Sequence, residues 1–321
     1  MKTSGNLLRA VLALAAFGVA AVFTSAADEP PALREVPLVV GLARSSFTGL
    51  NENDAVAAYR SFVTAMGRKR GYEIHSVIRI FDTNEDFAQA LHGGELQFIV
   101  VSTWQYLEMN MRTYADPSFV PVISGSSQHR LLLLARRAAG IRTVADLAGK
   151  PVLVVWNGNN HLAEPWLDSL CLDAGLGLAT HAFGSVRSVV KPSAAVLPVF
   201  FGRVPACVVD DSAFSVLSEL NPQIERELAV IATSAPMLDA VACISRSGWR
   251  SIEERESFRH SLLEAHDDTA GRQILTLFKV DGLHPFEPAQ LDSVAALHLR
   301  LQRARDAALA GSPTPLSSSS P

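Results

Sequence analysis

The sequence predicts an α/β protein of two Rossmann-like lobes joined by two crossing strands. Three observations carry that reading. Apolar runs of strand length alternate with segments of helical period over most of the chain, the pattern of parallel sheets flanked by helices. Polar breaks near 124–130 and 233–240 interrupt the alternation, and each leads into an apolar strand, so the chain crosses twice between sheets. The 321 residues, 48% of them hydrophobic, suffice for a large core, and length alone suggests about two domains.

Residues 1–26 read as a secretory signal peptide. Lys2 and Arg9 give the positive start, Ala10 to Phe23 the apolar run, and Thr24-Ser25-Ala26 or Ser25-Ala26-Ala27 the cleavage site. The run is shorter than the ~20 residues of a membrane span, and an uncleaved anchor is the alternative. A periplasmic location is expected. Residues 27–37, with Pro30, Pro31 and Pro37, read as a linker. Lobe 1 is expected over 38–126 and 236–302, and lobe 2 over 127–235. Residues 303–321 form a tail, Pro- and Ser-rich from Gly311 and disordered by composition.

Leu38 to Leu42 is the first strand, followed by a hydroxyl-rich turn from Ala43 to Asn51. Asn51 or Asn53 caps a helix to about Arg68, with Val56, Tyr59, Phe62, Val63 and Met66 at helical spacing. A strand at Glu73–Phe81, a helix at Asn84–Leu91 and a strand at Leu96–Val101 come next. The last stops at Ser102-Thr103-Trp104-Gln105, where a helix to about Arg112 begins. Val120–Ile123 is a strand, Ser124 to Ser127 the first crossing, and His129–Arg137, with Leu131 to Leu134, the strand beyond it. The second lobe repeats the scheme. Strands are expected at 151–155, near 180–183, and at 206–209 and 228–232; helices at 162–174, near 193–201 and at 212–220. Thr233 to Pro236 is the second crossing, Leu238–Ser245 the returning strand, and helices follow near 251–271 and 288–309.

A net charge of −4, a pI near 6.1 and the lack of a basic stripe argue against nucleic acid as a ligand. Of the three cysteines, Cys207 and Cys243 lie in strand-like runs and Cys171 in a helix-like one. Buried free thiols or a Cys207–Cys243 bridge are both open. No Cys/His grouping has metal-ligand spacing, and no cofactor motif is present.

Ligands of open α/β sheets sit at the carboxyl ends of strands, where helix N-termini point N–H groups at open space. Four such turns and one strand end supply the candidate ligand-binding residues: Ser45, Ser46 and Thr48; Ser102, Thr103, Trp104 and Tyr106; Trp156, Asn157, Asn159, Asn160 and His161; Ser185 and Arg187; Asp210 and Asp211. Ser and Thr hydroxyls donate to ligand oxygens, Arg187 suits an anionic group through its fork, and Asp211 is as suited to capping as to ligand binding. Lys191 and His129 are weaker candidates. The chain shows no Gly-x-Ser-x-Gly elbow, so a periplasmic hydrolase built on Asp210, Asp211, His161 and Ser185 is disfavoured.

Several segments resemble one family. They are Thr143 to Lys150, Phe183 to Val190, Val208 to Ser212, Ile231 to Pro236 and Leu277 to Pro285. Together and in order, over roughly 38–300, they resemble the periplasmic phosphate/phosphite/phosphonate-binding receptors of ABC transporters. The resemblance implies the type II periplasmic-binding fold, a receptor rather than an enzyme, and closure over a small polar, oxyanion-bearing solute for delivery to a permease. It implies that an acid at Asp210–Asp211 meets a ligand ammonium. Asn157-Gly158-Asn159-Asn160 stands where the family usually carries a Ser-Thr-Ser-Gly type turn. The alternative is a receptor of the same fold, with a non-phosphonate ligand, that feeds a membrane sensor. A monomer is expected.

Overall fold

Two sheets organise the chain in the computed structural model, which describes residues 33–47, 51–156, 161–267 and 269–310. The expected signal peptide lies outside the described residues. The first sheet holds β1 (Arg34–Ala43), β2 (Tyr72–Phe81), β3 (Phe98–Ser102), β4 (Ala115–Val122), β10 (Ala240–Ser245) and β11 (Gly282–Pro285). Its order is β11-β4-β10-β3-β1-β2. The second holds β5 (Leu131–Arg136), β6 (Pro151–Val155), β7 (Ser185–Val189), β8 (Ala206–Asp210) and β9 (Leu228–Thr233), in the order β7-β6-β8-β5-β9. Each sheet has a parallel trio, β2-β1-β3 or β7-β6-β8, and one antiparallel strand beside it, β10 or β5. That antiparallel strand is the one delivered by a crossing from the other sheet. The crossings pair with each other: His129 N–H donates to the Met237 carbonyl at 3.0 Å, and Met237 N–H to the His129 carbonyl at 2.8 Å.

The apolar runs explain the buried strands. Leu131, Leu133, Leu134 and Ala135 are fully buried because β5 is central in its sheet, with a helical layer on each face. The helices are α1 (Glu52–Lys69), α2 (Asn84–His92), α3 (Thr103–Glu108), α4 (Ala163–Asp173), α5 (Ala179–Ala182), α6 (Pro192–Phe200), α7 (Asp211–Leu220), α8 (Gln223–Glu227), α9 (Ile252–Leu263), α10 (Thr269–Leu277) and α11 (Asp292–Ala310). Asn51 caps α1 by accepting from Asn53 and Asp54 N–H, and Tyr59, Phe62, Val63 and Met66 are its buried stripe.

Five expectations need correction. β1 starts at Arg34, inside the expected linker. Pro37 is tolerated there because β1 pairs with β3 only from Val40 on, leaving one edge without a ladder at that point. The strand expected near 180–183 is the short helix α5, its first N–H held by Asp168 Oδ1 at 2.8 Å. The turn expected at 184–188 is β7. The single helix expected over 251–271 is broken by a 3-10 turn at Ala265–Asp267. Gly271 of α10 packs so tightly on Ala265 that a Cβ there would lie 1.9 Å from the Ala265 carbonyl oxygen. Finally, α11, close to the helix expected over 288–309, runs into the expected tail as far as Ala310, and its Val294, Leu297 and Leu301, expected in lobe 1, are buried in the core of the second lobe.

Cys207 lies in β8 and Cys243 in β10, one in each sheet, so they cannot pair. All three cysteines are free and buried.

Candidate functional site

The carboxyl ends of β3 and β8 meet at the two crossings, and a cleft of about 520 Å³ opens there. The first crossing contributes Ser124, Ser126, Ser127, Gln128 and His129; the β8–α7 junction contributes Asp210, Asp211, Ser212 and Ser215; the second crossing contributes Asp239. No Lys or Arg is among the described lining residues.

Asp210 is the N-cap of α7. Its Oδ1 accepts from the Ala213 N–H at 2.7 Å and from the Ser212 hydroxyl at 2.6 Å. Asp211 Oδ1 accepts from the Ser212 N–H at 3.0 Å and the Arg130 N–H at 3.1 Å, which ties α7 to the first crossing. Capping therefore falls to Asp210, where the sequence suggested Asp211.

Asp239 differs from both. It is 8% exposed, and neither carboxylate oxygen has a hydrogen-bond partner. The His129 Nε2 lies 3.4 Å from Oδ2 and the His161 peptide N–H faces the same carboxylate, but neither meets hydrogen-bond geometry. Burial pushes the Asp239 carboxyl up to about 7; His129 and His161 oppose the shift and Asp210 reinforces it. A buried acid that makes no hydrogen bond and is held only by the loose His129 pair, facing a cleft, is open to a partner from outside.

The other candidates are placed unevenly. Ser102 caps α3 in a capping box with Gln105. Thr103 is fully buried, its hydroxyl donating to the Leu238 carbonyl and its N–H to the Asp239 carbonyl at 2.8 Å, so the β3–α3 turn is fastened to the second crossing. Trp104 points the other way. Its indole N–H donates to Glu108 Oε1 at 2.8 Å, and its ring meets His298 of α11 edge-on at 5.0 Å. Tyr106 is a core residue of the first lobe, and burial raises its hydroxyl to about 12. Ser46 lies in a 3-10 turn after β1 and borders an apolar cavity. Ser45 shares that turn. Trp156 follows β6, its N–H on the Val189 carbonyl, and its ring meets His161 edge-on at 5.4 Å. Thr48, Asn157, Asn159 and Asn160 lie outside the described residues.

Ser185 and Arg187 are not at a cleft turn. β7 runs parallel to β6 with Ser185 opposite Pro151 and Val189 opposite Val155, so Ser185 begins the strand at the end remote from the cleft. Arg187 is exposed mid-strand on the sheet edge, and the residues at the carboxyl end are Val190 and Lys191. Asp239 was missed by sequence reading, although it left a signal: a single carboxylate in the apolar run Met237 to Ser245. Among the described residues, no group of three or more His, Cys, Asp or Glu could hold a metal ion, and no helix is long and apolar enough to cross a membrane.

Comparison with known structures finds this fold in periplasmic binding proteins. A Xanthomonas citri protein, XAC2383, solved bound to ATP, shares 17% identity, with 84% of this chain and 98% of that one covered and a TM-score of 0.61. A binding-protein component of an ABC phosphonate transporter from Pseudomonas aeruginosa gives 14% identity, 84% and 88% coverage and a TM-score of 0.55. PhnD1 of Prochlorococcus marinus, solved with methylphosphonate, gives 11% identity, 83% and 98% coverage and a TM-score of 0.52. No curated protein matches the sequence. The sequence itself matches, over residues 48–293, the family described as "ABC transporter, phosphonate, periplasmic substrate-binding protein". That span takes in most of both sheets and both crossings, and the chain belongs to this family of receptors, which bind and deliver rather than catalyse.

Proposed function

We propose that this receptor takes up an amino-bearing phosphonate, or a zwitterion of the same build, between its lobes and hands it to an ABC permease. The observation that supports the ligand class is the Asp239 carboxyl, buried without a hydrogen bond beside Asp210 and Asp211 in a cleft wall that has no Lys or Arg among its described residues. A bare oxyanion meets the Asp210 and Asp211 carboxylates there, and like charges at short range repel. An ammonium group gains charge-assisted hydrogen bonds, each worth roughly 1.5–3 kcal/mol. The oxyanion end is assigned to Ser45 and Thr48, to the Ser102 turn, and to the stretch from Trp156 through Asn157, Asn159 and Asn160 to His161; Ser46, which borders the apolar cavity, is left out. Trp104, Tyr106, Ser185 and Arg187 are left out of the proposed site by their placement. The crossings serve as the hinge, and Asp239 on the second crossing puts the ligand's charge where the lobes pivot.

The test is thermal unfolding of the exported chain with 2-aminoethylphosphonate, methylphosphonate, inorganic phosphate and ethylamine. A ligand at about 100 times its Kd adds roughly 2.7 kcal/mol, enough to raise the midpoint by several degrees. The expected result is a shift with 2-aminoethylphosphonate that Asp239→Asn abolishes. A larger shift with phosphate or methylphosphonate, unchanged by Asp239→Asn, would refute the ammonium assignment.

A further inference from the structure

An apolar cavity of about 130 Å³ lies inside the first lobe, between the six-stranded sheet and helices α1, α9 and α10. Its walls are Tyr59 and Phe62 of α1, Phe98 of β3, Leu262 of α9, Ile274 of α10 and Phe278 just beyond it. It is not isolated from the cleft. Pro121 and Ala240 line both, so the two spaces adjoin across the end of β10, one to two residues beyond Asp239. The cavity exists because β10 turns small side chains toward the helices: Ala242 packs in the cluster of α1 and α10, while Val241 and Cys243 fill the opposite core. A well-packed interior rarely leaves voids larger than a water molecule. A space of this size lined by aromatic and aliphatic groups stays dry, and one of about 150 Å³ accepts benzene.

We infer that the cleft ligand is amphipathic. Its ammonium sits at Asp239 and an alkyl or phenyl substituent enters the cavity past Pro121 and Ala240. The inference rests on the cleft reading above and adds to it a chain-length selectivity. Phosphonates with one or two carbons leave the cavity empty; a substituent of four to six carbons fills it. Each methylene moved from water into apolar surroundings tightens binding about four-fold, from the ~0.8 kcal/mol of a buried CH₂.

The experiment is titration calorimetry of the exported chain against 1-aminoalkylphosphonates from ethyl to heptyl, with the phenyl analogue, for the wild type and Ala242→Leu. In the wild type the Kd falls about four-fold per carbon until the cavity is full, then levels off. In Ala242→Leu, which puts the added carbons into the cavity, the ethyl compound binds as before and the longer ones lose their gain. Binding that is independent of chain length would overturn the amphipathic assignment and leave the head-group reading standing. No binding by any member would overturn both. A chain-length gain that Ala242→Leu leaves intact would place the substituent elsewhere and also refute the assignment. Should Ala242→Leu fail to fold, Leu262→Phe closes the same space from the helix side with the same expected loss.

Discussion

Asp239 offers a test of the structure that needs no ligand. Its carboxyl titrates near 7 in the fold, against 3.8 for the free side chain, and desolvation is the main cause. The sign follows from linkage. A folded acid with a raised pKa holds its proton where the unfolded chain has released it, so this group's contribution to stability falls as pH rises between about 4 and 7. Above 7 the loss is complete and constant. At ~1.36 kcal/mol per pH unit its upper bound is on the order of 4 kcal/mol, and the unpartnered amide of an asparagine takes back roughly 1–3 kcal/mol. Asp239→Asn therefore stabilises the unliganded protein at pH 8 by on the order of 1–3 kcal/mol, a rise of roughly 2–5 °C in midpoint for a chain of this size. At pH 4 that advantage vanishes or reverses. Differential scanning calorimetry of both proteins at pH 4, 6 and 8 measures it. A midpoint difference that stays flat across this range, or a variant less stable than wild type at pH 8, would refute the buried carboxyl without hydrogen bonds and with it the main support for the ammonium site.

Two further predictions follow from placement. Arg187→Ala leaves ligand binding unchanged and shifts stability by less than about 0.5 kcal/mol, because Arg187 is exposed mid-strand on an edge; a loss of affinity by calorimetry would put β7 back in the site. The three thiols resist a thiol reagent in the folded protein and all react once it is unfolded, since burial raises each of them; rapid reaction of any one in the native state would contradict the buried placement.

The strands and crossings were legible because burial forces composition. Leu131 to Leu134 read as a strand since both faces of β5 are covered, and the polar crossings stood out against such runs. Edge strands lack that constraint. β7 carries Ser185, Arg187 and Ser188 exposed, which is the composition of a turn, so the strand was assigned to the apolar residues before it, and these form α5. The same error moved the carboxyl end of the strand and brought Ser185 and Arg187 into the candidate list. Trp104 was misplaced for a different reason. Its position after β3 is a cleft position by pattern, but its orientation is set by His298, distant in sequence. No local rule contains that partner. Asp239 was legible in principle: a lone charge in the apolar run Met237 to Ser245 marks where the strand expected from Leu238 in fact begins, at Ala240.

The path of α11 narrows what lobe motion can be. Val294, Leu297 and Leu301 pack into the core of the second lobe beside Trp166 and Cys171, Arg300 pairs with Asp173 of α4, and Trp104 and Leu107 of the first lobe meet the same cluster. The chain thus joins its lobes by the two crossings and by the seat of this helix. Pulling α11 off α4 exposes three large apolar side chains at about 1.5–3 kcal/mol each, on the order of 5 kcal/mol or more together. Open and closed states of a two-state protein differ by only a few kcal/mol. Closure must therefore keep α11 seated, which leaves rotation about an axis through the crossings and that helix contact. Asp239 lies beside that axis. Under the proposed function, a charge bound there moves little during closure, and its affinity is set mainly by the buried acid. Under the same proposal, discrimination between open and closed states then falls to ligand contacts farther from the axis than Asp239.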